Sequence, residues 1–221
     1  MMRKIFKSKK SFIISNYARK LIDNECGIDS DIWFPYIDIE RVRVDKAKQY
    51  NKVIGYYSAG THKGDRIFDC LVDLMPDYNF IIMGYKTTVD LTKSNVKRID
   101  CFFNAKPLLK KISLMLVPSV IDEGYPRIII EALSNSIPVI ANRVGGIPEA
   151  LGDGGILIDK EEADLETANK YKIEITKVLS SDSTYEYYSN KAKERCVEYL
   201  KEIKTQNMKF IWNFMTHSEG L

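Results

Sequence analysis

Residues 112–149, ISLMLVPSVIDEGYPRIIIEALSNSIPVIANRVGGIPE, decide the fold. The apolar run Ile112–Val117 ends at Pro118-Ser119 and reads as a strand buried on both faces. A short polar loop leads to Arg127–Leu133, which reads as a helix, and a second apolar run follows at Ile137–Ile140. A second glycine loop then opens at Gly145-Gly146. Strand, loop, helix, strand and loop make one α/β unit, whose ligands bind beyond the carboxyl ends of the strands. Both glycine loops open on that edge.

Glu123 lies in the first loop and a second glutamate, Glu131, in the helix that follows. Pro126 suits the first helical position, where its missing N–H costs nothing. The main-chain N–H groups of Arg127 and Ile128 then have no helical partner, and the helix dipole adds about half a positive charge there. Gly124 lets a ligand come close to the main chain. Such a loop and helix end can hold a diphosphate, with the carboxylates beside it accepting hydrogen bonds from sugar hydroxyls.

A related unit lies upstream. Lys52–Tyr57 reads as a buried strand, and the loop Ser58–Gly64 follows it. Asp65 is placed to cap a helix in which Ile67, Phe68, Leu71, Val72 and Met75 fall at helical spacing, and Pro76 stops it. Phe80–Met83 reads as the next strand, closed by Gly84. A right-handed crossover brings both strand ends to the ligand edge. Val96–Ile99 is a weaker strand, with a short helix after Pro107.

The expected helices beyond Ala163 are Leu165–Leu179, Tyr185–Lys204 and Thr205–Met215. Met208, Ile211, Trp212 and Met215 form a stripe that packs on this domain or docks a partner. Near the start, Ser11–Ile14 reads as a strand, and Ser15 caps a helix over Tyr17–Glu25 that Gly27 ends. The charged stretch from Asp38 to Lys52 reads as an exposed connection.

At this level the residues resemble a known family. Glu123-Gly124-Tyr125-Pro126-Arg127-Ile128-Ile129-Ile130-Glu131-Ala132 is similar to the E-x7-E signature of retaining, GT-B-type glycosyltransferases of family 4. Ile137-Pro138-Val139-Ile140-Ala141 and Gly145-Gly146-Ile147-Pro148-Glu149 match the next block. The resemblance runs from about Phe12 to Ile158. It implies a Rossmann-like parallel sheet flanked by helices, one half of a GT-B fold, with carboxyl-terminal helices. It places a UDP-, GDP- or similar nucleotide-sugar here as substrate, with no cofactor and no metal. Glu131 would hold the ribose and Glu123 the transferred sugar, with main-chain N–H groups near 124–128 on sugar and phosphate. Ser58–Gly64 resembles the family's phosphate loop, normally Gly-Arg followed by Lys-Gly; Lys63-Gly64 is present and Ser58 or a neighbour stands where Arg is usual. Lys63 is thus the expected cation, with Ser58 and Thr61 as weaker donors and Gly84 at the neighbouring strand end. By the same analogy the base packs near Cys101 and Phe102, although core packing explains Phe102 and Phe103 equally well. Ile32-Trp33-Phe34-Pro35-Tyr36-Ile37-Asp38 resembles the family's linker, with Tyr36 where Gly is usual.

The expected chemistry is transfer of a sugar, with retention, to a glycan or lipid-linked acceptor. Glu123 and Lys63 are the expected catalytic residues. A glycoside hydrolase would need a carboxyl pair flanking the scissile bond as acid and base or nucleophile, and the phosphate-type loop argues against that. About fifty residues precede the first strand of the recognised domain, fewer than an acceptor-binding domain needs. The expected organisation is a segment and linker over 1–50, a nucleotide-sugar domain over 51–180 and a helical extension over 181–221. The expected partner is an acceptor-binding domain or subunit. The alternative is a regulatory or interaction module that binds nucleotide-sugar without catalysis.

Composition narrows the surroundings. With 221 residues, 45% of them hydrophobic and 29% charged, the chain is an ordinary globular protein, and its net charge of +3 argues against nucleic acid. MMRKIFKSKK holds five basic residues and no acid. This head either lies against anionic lipid, at about 1 kcal/mol per basic side chain near the surface, or is a frayed terminus. Cys26, Cys70, Cys101 and Cys196 form no C-x2-C pair, and with only His62 and His217 beside them they suggest reduced cytoplasmic thiols rather than a metal site. The expected location is the cytoplasm, extending to the inner face of the membrane if the basic head binds lipid.

Overall fold

The structure, a computed structural model, describes residues 11–26, 30–44, 52–100 and 104–217, the last eight of these as backbone. Six parallel strands form the central sheet: β3 (Val53–Ala59), β4 (Asn79–Lys86), β5 (Val96–Ile99), β6 (Leu114–Val117), β7 (Val139–Asn142) and β8 (Gly155–Ile158). Their spatial order is β5-β4-β3-β6-β7-β8. Counted from β3, this is the 3-2-1-4-5-6 order of a doubly wound sheet, with its switch point between β3 and β6. Ahead of it, β1 (Ser11–Ile13), α1 (Asn16–Cys26) and β2 (Ser30–Ile32) make a small parallel β-α-β unit.

Alternation along the strands divides the core. Ile54, Tyr56, Phe80, Ile82, Leu114, Leu116 and Ile140 pack with α3 (Asp65–Leu74) and α7 (Asp164–Val178) on one face. Ile81, Met83, Met115, Val117, Val139 and Ala141 point the other way. There they meet α4 (Lys106–Leu109), α5 (Arg127–Leu133), α6 (Ile147–Leu151) and α8 (Asp182–His217). Apolar side chains on both strand faces are what a sheet sandwiched between helices requires.

Several boundaries differ from expectation. Asp38–Lys52 is not wholly exposed: Asp38 caps a short helix, α2 (Ile39–Val42), and Val42 and Val44 are buried. Asn135 secures this segment, accepting from the Val44 N–H at 2.8 Å and donating to the Val42 carbonyl at 3.3 Å. The helices expected at Tyr185–Lys204 and Thr205–Met215 are one continuous helix, since neither Gly nor Pro interrupts the sequence between them. Met208 on it is exposed, and the side chains of Ile211, Trp212 and Met215 lie outside the described residues. Gly84 does not close β4, which continues to Lys86. A Cβ at Gly84 would sit 1.7 Å from the Ser58 carbonyl oxygen, so the glycine serves the close passage of β3 beside β4. Ser15 caps α1 as expected, accepting from the Ala18 N–H at 3.1 Å; Gly27 lies outside the described residues.

Candidate functional site

A cavity of about 330 Å³ lies at the switch point, beyond the carboxyl ends of β3 and β6. The sequence-predicted residues lining it are Lys63, Glu123, Tyr125, Pro126, Arg127, Ile128 and Glu131. They come from two loops and the start of α5.

The loop after β3 turns through the 3-10 segment Thr61–Lys63 between Gly60 (φ 120°) and Gly64 (φ 94°). Gly64 takes the cap position expected of Asp65, which is the first residue inside α3. The fully buried Asp65 carboxylate instead gathers the strand ends. It accepts from Tyr56 Oη at 2.6 Å and Ser58 Oγ at 2.7 Å, and from the Thr88 N–H at 2.6 Å. Thr87 and Thr88 hydroxyls donate to it as well, each at 3.1 Å. Burial works to raise this carboxyl's pKa, but the hydrogen bonds from Tyr56, Thr88 and Ser58 outweigh it and hold the pKa below the usual value. Ser58 is consumed by this knot and is buried behind the cavity rather than lining it. Thr61 is exposed at the loop's surface and, with Gly84, also lies outside the lining.

The loop after β6 brings Glu123 to face Lys63. Lys63 Nζ and Ser119 Oγ both donate to Glu123 Oε1, and little of either charged side chain is exposed. The Glu123 carbonyl accepts from the Gly146 N–H at 2.6 Å. Pro126 is extended (ψ 109°) and caps α5, one residue ahead of the expected first helical position. Among the described residues, nothing accepts from the N–H groups of Arg127 and Ile128. Gly124 lies off the cavity lining, and a Cβ there would meet Ile14 at 2.7 Å, so the close approach it allows is to protein.

Glu131 forms the far wall. Burial raises its pKa, opposed by the nearby guanidinium groups of Arg127 and Arg41; Arg127 Nη2 lies 3.7 Å from its Oε1. Tyr125 packs between Phe34 and Tyr199, and its buried hydroxyl has no hydrogen-bond partner among the described residues. Tyr57, Asn104 and Ser119 also line the cavity, although sequence reading assigned them no role. Ser119 had a usable signal, since a polar side chain directly after a buried strand sits on the ligand edge. Asn104 had none. Cys101 and Phe102 lie outside the described residues. Among those residues no group of three or more His, Cys, Asp or Glu side chains could hold a metal ion, and no helix is long and apolar enough to cross a membrane.

This sheet order, with a cavity at its switch point, defines a Rossmann-like domain. The family model for glycosyl transferases group 1 matches residues 67–172. An uncharacterized glycosyltransferase of Methanocaldococcus jannaschii is 30% identical over 215 residues, spanning 89% of this chain and 59% of that protein. The chain therefore spans less than two thirds of that relative's length. A glycosyltransferase of Rickettsia africae superposes with a TM-score of 0.76 at 14% identity, over 98% of this chain and 67% of the other. HepE of Anabaena, solved with UDP and glucose, gives 0.69 at 18% identity, over 91% of this chain and 62% of the other.

Proposed function

We propose that this domain binds the donor of a glycosyltransferase reaction, a nucleotide-diphospho-sugar whose sugar passes with retention to a glycan or lipid-linked acceptor. The observation that carries the reading is the meeting of Lys63 and Glu123, from the two switch-point loops, in one cavity with Glu131 on its wall. Breaking the bond from anomeric carbon to diphosphate leaves negative charge on the departing phosphate. Lys63, with the unpaired N–H groups of Arg127 and Ile128, stabilises that charge; one such donor is typically worth about 3–4 kcal/mol. Glu123 accepts from the sugar and Glu131 from the ribose. UDP-glucose bound to HepE supports a nucleotide-sugar as ligand class. The acceptor sits on a further domain or subunit.

A second reading, a module that binds nucleotide-sugar without transfer, is favoured by one observation. Ser58, at or beside the position where the family usually has arginine, is neutral and locked to Asp65, so it brings no second cation to the cavity. A thermal-shift screen of UDP- and GDP-sugars, followed by transfer assays with candidate acceptor subunits, separates the two. At 100 times the dissociation constant a ligand adds about 2.7 kcal/mol of stability. Binding without transfer in every combination decides for the module; no shift with any nucleotide-sugar rejects both.

A further inference from the structure

Ser119, Asn142 and Tyr171 link the sheet to Glu123 through a buried hydrogen-bonded chain. Ser119 Oγ donates to Glu123 Oε1, the oxygen that also receives Lys63. The Ser119 carbonyl accepts from Asn142 Nδ2 at 3.0 Å, and Asn142 Oδ1 accepts from Tyr171 Oη at 3.0 Å. Tyr171 Oη also lies 3.4 Å from the carbonyl oxygen of Val117, the last residue of β6. Ser119, Asn142 and Tyr171 are at most 1% exposed. The chain therefore runs from α7, on one face of the sheet, through the end of β7 to the loop after β6.

We propose that Ser119, held by Asn142 and Tyr171, is a positioning residue that fixes the Glu123 carboxylate for the sugar of the donor. The inference rests on the donor-binding reading above. With Lys63 and Ser119 both on Oε1, Glu123 Oε2 has no partner among the described residues and is the oxygen left to accept a sugar hydroxyl. Fixing Oε1 from two sides sets the direction of Oε2 before the ligand arrives, which removes an ordering cost from binding. Burial keeps the Tyr171 phenol neutral and so a donor. A chain that only satisfied buried polar groups would affect stability, with no preference between ligands that carry the sugar and ligands that lack it.

That difference is the test. The full chain and its Ser119→Ala and Tyr171→Phe variants are titrated calorimetrically with UDP, UDP-glucose, GDP and GDP-mannose. Ser119→Ala is expected to weaken the nucleotide-sugar about tenfold while the matching nucleoside diphosphate stays within about twofold. Tyr171→Phe, two links further away, shows the same split at about threefold, and serves if the alanine variant does not fold. Equal losses for nucleotide and nucleotide-sugar, or wild-type affinity for the nucleotide-sugar in both variants, overturn the positioning role. Failure of the unaltered chain to bind any of the four ligands overturns the donor-binding reading itself, and this inference with it.

Discussion

The loops after β3 and β6 meet over one cavity but are held in place by different means. A buried anion organises the first: Asp65 collects donors from Tyr56, Ser58, Thr87 and Thr88 and so fixes the turn that presents Lys63. Main-chain packing fixes the second, with the Gly145-Gly146 turn pressed against Glu123 and Gly124. The two loops also touch directly, since the Val120 N–H donates to the His62 carbonyl at 3.0 Å. Side chains reinforce the second loop as well, since Asn142 Nδ2 donates to the Ser119 carbonyl, and the first has its own tight backbone contact, a Cβ at Gly64 falling 2.0 Å from the Pro118 carbonyl oxygen. Each has one point at which it cannot yield.

For the loop after β6 that point is Gly146. A Cβ there would lie 1.9 Å from the Gly124 carbonyl oxygen, a backbone atom that cannot swing aside. Gly146→Ala should give the largest loss of stability, roughly 4 kcal/mol, and abolish nucleotide-sugar binding. Chemical denaturation and calorimetry check both; near-wild-type stability would mean the loop is not clamped by its backbone. Lys63→Met removes the cation the other loop delivers; it should slow transfer by about 3 kcal/mol of transition-state stabilisation and, by leaving the largely buried Glu123 carboxylate without its ion pair, lower the melting temperature modestly. A full-rate variant would remove Lys63 from the leaving-group chemistry.

The side-chain knot is broken by Asp65→Asn, which should cost about 2 kcal/mol by leaving buried donors badly matched. The pH dependence has a definite sign. The folded carboxyl's pKa is depressed, so its contribution is present above the unfolded value, about 3.9, and is lost as the pH falls through the lower folded value. The gap between wild type and variant in denaturant titrations is therefore full at neutral pH and narrows under acid. A gap that widens toward low pH would contradict the knot.

The contrast between the loops also explains what could be read from the sequence. Strand runs and the Arg127–Leu133 helix were legible because apolar periodicity and proline placement are local signals. The convergence of Lys63, Glu123 and Glu131 followed from sheet topology together with the family resemblance. The Asp65 knot was not legible: an acidic residue at a helix start looks like a cap, and only the fold reveals that Thr87 and Thr88 approach it from just beyond the end of β4. Gly84 looked like a strand end for a related reason, since its true constraint is a neighbouring strand's carbonyl. The 38–44 segment looked exposed because its charges hide Val42 and Val44, which find their pocket only after the chain folds back.

Glu131 belongs to neither loop, and it sharpens the comparison because it is a carboxylate the fold does not satisfy. Burial dominates its environment and raises its pKa, with Arg127 and Arg41 offsetting only part of that effect. A raised folded value means the group's stabilising contribution is present below the unfolded value, about 4.3, and is lost as the pH rises through the folded one. Glu131→Gln should therefore make the unliganded protein slightly more stable at neutral pH, by less than about 1 kcal/mol, with the gain fading under acid. The same substitution should weaken nucleotide binding, because the amide replaces a charged acceptor for the ribose hydroxyls. Melting curves at two pH values and a nucleotide titration decide the matter: lower stability at neutral pH, or unchanged affinity, would show that this carboxylate is held for the fold and not kept poised for a ligand.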